Sequence, residues 1–186
     1  MAFFADAPNV IWETMIWGAI ILGSTAGVLV LVGIVGCFYP RSYTASRTLE
    51  TAHSPEEVWS VISDFANTPN WHGEVKKVER LPDRDGHELW RETDRRGYAM
   101  QLETIDAAAP RRLVRKISDE NGPFSGQWQF DIEPAEKGCR VTLTEQGQIP
   151  NPFFRLMFWL FMTPTFYLDL YLQALAKKLG DKPKLL

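Results

Sequence analysis

Between Glu13 and Arg41 no residue of this chain carries a charge, and that gap limits its folds more than any other feature. The stretch Met15–Tyr39 reads MIWGAIILGSTAGVLVLVGIVGCFY. As a helix it exceeds the roughly 20 residues, at about 1.5 Å each, that the hydrocarbon core of a bilayer requires. Its dozen Ile, Leu, Val and Phe residues each favour insertion by about 0.3–0.6 kcal/mol at the helix centre, several kcal/mol in sum. Trp12 and Trp17 near one end and Tyr39 at the other suit the two interfaces, where amphipathic rings settle. Pro40 then ends the helix.

A cleaved secretory signal requires a basic flank and an apolar core of about 7–15 residues. Here the flank is acidic and the core is longer. Ile34-Val35-Gly36-Cys37 resembles a lipobox but lacks the same basic flank. The expectation is therefore an uncleaved, single-pass anchor over residues 15–39, after a short segment 1–14 and before a domain over residues 40–186. Arg41 and Arg47 follow the span and nothing basic precedes it, so the positive-inside rule puts the C-terminal domain in the cytoplasm. Gly23 and Gly27 form a GxxxG spacing that suits close packing of two helices in a homodimer; glycines common to any membrane helix are the other reading.

The rest of the chain holds nearly all the charge. Against 20 Lys and Arg stand 23 Asp and Glu, a net −3 with no basic cluster, which excludes broad attraction to nucleic acid. Cys37 and Cys139 lie far apart, and with three scattered histidines they give neither a disulfide framework nor zinc spacing. No metal or cofactor is expected.

Residues 43–51, YTASRTLET, are Thr-rich and read as a strand. Ser54 with Pro55 and Glu57 makes a capping box for a helix that turns Val58, Trp59, Val61 and Ile62 inward and ends near Asp64. Asn67-Thr68-Pro69-Asn70 is a turn. From Val75 onward, short strands alternate with turn chemistry: Asp85-Gly86, Arg95-Arg96-Gly97, Ala109-Pro110, Asn121-Gly122-Pro123 and Lys137-Gly138. Five or six such strands with short links predict an antiparallel meander. Trp128, Phe130 and Ile132 share one face and Gln127, Gln129, Asp131 and Glu133 the other, as in a sheet covered on one side. The cover is FFRLMFWLFMTPTFYLDLYLQALAKKLG, opened by Asn151-Pro152 and broken or kinked at Pro164. Its uncharged run Leu156–Leu168 has 13 residues, too short for a second span. Two roles stay open for it, core packing and a surface lying among lipid headgroups.

The order strand, capped helix, antiparallel strands and C-terminal helix, the segment SPEEVWSVISDFANTPNWHGEVKKVE and the Pro110-Arg111-Arg112-Leu113 turn-strand together resemble the START-related SRPBCC superfamily, in its polyketide cyclase/dehydrase and lipid-transport branch. The likeness spans about residues 43–180. It implies an α+β helix-grip fold, a curved antiparallel sheet wrapped around a long C-terminal helix. It also implies an apolar cavity between the two, which many members use for lipids, steroids or aromatic polyketides.

Alternation points Tyr98, Met100, Leu102, Leu113, Ile117, Trp128, Phe130, Val141 and Leu143 inward, with Phe154, Phe158, Phe161 and Met162 closing from the helix. Such a lining suits a hydrophobic small molecule or lipid, and equally a filled core. Arg115 and Glu145 interrupt the apolar phase. They either orient a polar ligand group, pair with each other, or reach water at strand ends. His53, His72 and His87 sit in loops outside any catalytic motif and read as solvated; no catalytic residue is singled out. Three functions remain open: a membrane-tethered binding module, a cyclase or dehydratase acting on an apolar substrate, and a filled-core interaction domain.

Overall fold

The computed structural model describes residues 7–119, 122 and 124–186. Asp6, with most of the first half of segment 1–14, and Asn121 and Pro123 of the expected Asn121-Gly122-Pro123 turn lie outside the described residues. Helix α1 (Ala7–Cys37) carries the apolar run. Its portion Trp12–Cys37, 26 residues, is long and apolar enough to cross a membrane, and its large side chains stand exposed.

Seven strands follow: β1 (Ser42–Thr51), β2 (Val75–Arg84), β3 (His87–Asp94), β4 (Ala99–Ala108), β5 (Arg112–Ile117), β6 (Ser125–Pro134) and β7 (Cys139–Gln148). Every neighbouring pair is antiparallel, in the order β1-β7-β6-β5-β4-β3-β2. Strands β2 to β7 form the expected meander, and β1 closes onto β7 from Ser42 opposite Gln148 to Thr51 opposite Cys139. Asp85 and Gly86 take φ of 52° and 83°, the left-handed pair that a two-residue hairpin requires. Register shifts at Leu81/Arg84 and Thr104/Asp106 help the sheet to curve. The outer edge of β1 is paired in turn by the C-terminal tail, through Thr48 and Leu186 in both directions, which protects an otherwise open strand.

Helix α2 (Pro55–Ile62) has the capping box read from Ser54 and Glu57. The Glu57 amide donates to Ser54 Oγ at 3.2 Å, and the Ser54 amide to Glu57 Oε2 at 2.9 Å. The Asn67–Asn70 turn belongs to a short 3-10 turn, Phe65–Asn70. The C-terminal stretch is two helices, α3 (Pro152–Phe161) and α4 (Phe166–Leu179), parted around Pro164. Only α4 is gripped. Leu168, Tyr171, Leu172, Leu175 and Ala176 recur at helical spacing and bury against Leu49, Leu113, Phe130, Val141 and Leu143 of the sheet. This is the α+β helix-grip fold.

Candidate ligand site

Strand register sets one row of side chains across the concave face. Glu145 of β7 lies opposite Trp128 of β6, Trp128 opposite Arg115 of β5, and Arg115 opposite Thr104 of β4. Arg115 is 9% exposed. Its Nη1 donates to Glu92 Oε1 at 2.5 Å, and its guanidinium lies 3.9 Å over the Phe65 ring. A buried charge persists only with such partners. Its Nε and Nη2 have no hydrogen-bond partner among the described residues.

Beside this pair, His72 is 8% exposed. Its Nδ1 accepts from the Glu74 amide at 3.4 Å, an assignment that leaves Nε2 to carry the proton of the neutral ring. Burial lowers the His72 pKa, against the opposing pull of Glu92 and Glu74. The Tyr171 ring of α4 packs 5.2–5.6 Å from the rings of Trp71, His72, Trp128 and Phe130. Burial holds its phenol protonated, with Arg115 pulling its pKa down and Glu92 pushing it up.

At the other end of the row, Tyr43 Oη donates to Glu145 Oε1 at 3.0 Å. Burial raises the pKa of the Glu145 carboxyl, and the hydrogen bond from Tyr43 and the neighbouring Trp128 indole oppose that rise. The Tyr43 ring occupies the space that a side chain at Gly147 would need, so glycine there lets it reach Glu145.

Of the six buried side-chain atoms without a partner among the described residues, four are N–H donors: Trp71 Nε1, Trp90 Nε1, Arg115 Nε and Arg115 Nη2. Thr104 Oγ1 and Glu145 Oε2 complete the set. Among these unpartnered atoms, N–H donors thus outnumber the oxygens that can accept, and two of the donors are on Arg115.

The expected lining divides. Leu113, Phe130, Val141 and Leu143 are buried in the core under α4. Trp128 packs against that core, and Met100, Leu102 and Ile117 are half-buried, with Leu102 set between Trp90 and Ile117. Tyr98 precedes β4 and is 39% exposed. Phe158 is buried and stacks on Tyr43 at 4.8 Å, and Met162 is half-buried. Phe154 and Phe161, 43% and 76% exposed, do not join them. α3 buries an arc centred on Arg155, Leu156 and Phe158, and at about 100° per residue the other two fall beyond its edge.

Three sequence expectations change. Arg115 and Glu145 do not pair with each other, because Trp128 separates them; each has its own partner. Nor does Arg115 stand open to water at a strand end, because it is buried against Glu92 and Phe65. His72, expected to be solvated, is enclosed because α4 brings Tyr171 over it. Glu92 went unnoticed in the sequence, although it shares the inward phase of β3 with Trp90. A separate groove of about 360 Å³ lies at the ends of β1, β6 and β7. Its walls include Gln127, Gln146, Gln148 and Lys116, a polar lining unsuited to an apolar ligand.

An antiparallel sheet gripping a C-terminal helix, with charged and aromatic groups enclosed on its concave face, defines the START-like class of helix-grip proteins. Within that class, the chain belongs to the polyketide cyclase / dehydrase and lipid transport family, whose family model matches residues 42–180. No curated protein sequence matches it. Among solved structures it is similar to a START superfamily protein from Mycobacterium smegmatis, with 19% identity over 74% of this chain and 97% of that one, TM-score 0.58. Norcoclaurine synthase from Thalictrum flavum, solved with dopamine and hydroxybenzaldehyde, aligns at 16% identity over 80% and 92%, TM-score 0.60. The Zhui aromatase/cyclase from Streptomyces sp. R1128 aligns at 13% identity over 75% and 93%, TM-score 0.58. Identities this low establish a shared fold.

Proposed function

We propose that the chain is a membrane-tethered binding module for a hydrophobic small molecule or lipid. In this reading residues 15–39, most of them in α1, are the anchor, residues 40–186 are the ligand-binding domain on the cytoplasmic side, and the concave face takes the ligand. The family supports an apolar ligand. The single observation that carries the finer reading is the surplus of unpartnered buried N–H donors, two of them on Arg115. Buried N–H groups are normally paired, and four donors beside half-buried apolar side chains suit an apolar molecule bearing acceptor oxygens, a carbonyl or a carboxylate. Met100, Leu102 and Ile117 would meet its hydrocarbon part. Tethering would raise the local concentration of the domain beside membrane-dissolved ligand.

The test is native mass spectrometry of the full chain in detergent, with solvent extraction of whatever co-purifies from the native host. A near-equimolar oxygenated apolar molecule supports the reading. Arg115→Leu should weaken its binding by roughly tenfold or more, since hydrogen bonds to charged groups contribute about 1.5–3 kcal/mol. Retention of the ligand at full affinity in that variant would remove Arg115 from the site.

A second reading, a cyclase or dehydratase, is favoured by one observation. Neutral His72, with its Nε2–H, lies against the Tyr171 ring and within electrostatic reach of Glu92, a set able to move a proton. His72→Gln that binds ligand normally but abolishes its conversion would support this reading, and absence of any conversion by the intact chain would exclude it.

A further inference from the structure

α1 is not a loose tether. Gly36, in its last turn, is buried, and a side chain there would run into the backbone of Pro152 at the start of α3. The neighbouring Arg155 is 8% exposed. Its guanidinium donates to four carbonyls: Gly36 at 3.4 Å in the last turn of α1, Tyr39 at 3.3 Å just past it, and Ile149 at 3.1 Å and Pro150 at 2.8 Å just past β7. The final carbonyls of a helix lack intrahelical partners and carry partial negative charge, so a cation there both caps them and complements the dipole. Trp159 Nε1 adds a bond to the Pro40 carbonyl at 3.3 Å. One side of α3 is thereby fastened to the root of α1.

Among the described residues the other side of α3 is largely open, with Phe154 meeting the exposed ring of Phe124 at 6.3 Å. Phe153, Phe154, Leu160 and Phe161 are exposed, as are Phe38 beyond α1 and Phe166 at the start of α4. Arg155 is the single charged residue of α3, and the clamp sequesters it. An apolar arc without charge, held beside the end of a helix that enters a bilayer, matches the headgroup–acyl boundary in depth and chemistry.

We propose that α3 lies in the lipid interface of the same phospholipid bilayer that α1 crosses, with Arg155 as the clamp that fixes this orientation. The inference rests on α1 being a span. Because the buried side of α3 stacks Phe158 on Tyr43, the partner of Glu145, the Glu145 end of the concave row is the end turned toward the membrane.

The experiment uses the full chain in phosphatidylcholine vesicles, with Cys37→Ser to leave only the buried Cys139. A nitroxide is attached at Phe161→Cys, or at Lys137→Cys as a reference at the far end of β7. Collision of each label with oxygen and with a water-soluble nickel chelate reports depth. The expected result is oxygen preference at 161 and nickel preference at 137. Gly36→Leu should abolish the oxygen preference at 161 while the chain still resists carbonate extraction. Nickel preference at 161 in a carbonate-resistant chain would overturn the inference and leave the span intact. Extraction of the unmodified chain by carbonate would overturn the span, and the inference with it. An unchanged depth at 161 in Gly36→Leu would overturn the clamp.

Discussion

At the scale of single residues, the concave face is held by charges whose partners come from other strands. Among the described residues Glu92 is the sole acceptor bonded to the Arg115 side chain, so Glu92→Gln leaves a buried cation uncompensated. Breaking a buried pair from one side costs about 3 kcal/mol. Chemical denaturation of the variant should show that loss, and Glu92→Leu combined with Arg115→Met should recover most of it. His72 gives a pH signature. Its folded pKa lies below the ordinary value of 6.5 because burial disfavours the imidazolium. Between those two values the unfolded chain binds more protons than the folded one, so stability falls as pH drops below about 6.5 towards the folded pKa. In His72→Gln that part of the decline should flatten when unfolding is followed across pH 5–7.5; an unchanged slope would place its origin in other groups. The donors of Trp71 and Trp90 could not be seen in the sequence as a group, because alternation marks which way a side chain points and not what it meets.

Among the elements, the capped ones were the most legible. The Ser54–Glu57 box of α2 and the Asp85-Gly86 hairpin formed as read, because capping and turn chemistry depend on neighbours within four residues. Ser54→Ala removes the acceptor for the Glu57 amide and should lower the domain's stability by about 1 kcal/mol, measured by thermal or urea unfolding. The C-terminal stretch shows the limit of this local reading. Pro164 marks the break, but only packing divides the labour: α4 enters the sheet, while α3 turns away and fastens to α1. Phe154 and Phe161 were expected at the ligand for this reason. Their apolar character is plain in the sequence, but the direction of the helix carrying them follows from the Arg155 bonds.

For the whole molecule, α1 and the helix-grip domain meet at Gly36, Pro152 and Arg155. Along α1, a side chain added at Gly23 or Gly27 would meet nothing within 4 Å, leaving that face open to a second copy. The GxxxG spacing of these glycines proposes a homodimer, against the reading that such glycines are common to any membrane helix. Gly23→Ile with Gly27→Ile should reduce the dimer fraction in cross-linking within vesicles, and an unchanged fraction would move dimerisation elsewhere. The long apolar helix, the strand series, the α2 cap and the alternation of the sheet were all determined by the sequence alone, since each depends on spacings of two to four residues or on an uninterrupted apolar run. The tertiary structure decided which charges are buried and with whom, as Tyr43 and Glu145 meet across 102 residues and Arg155 reaches back 119 to Gly36. A local pattern can assign a side chain to a face; its ionisation and its partners are set only when distant segments exclude water from it together.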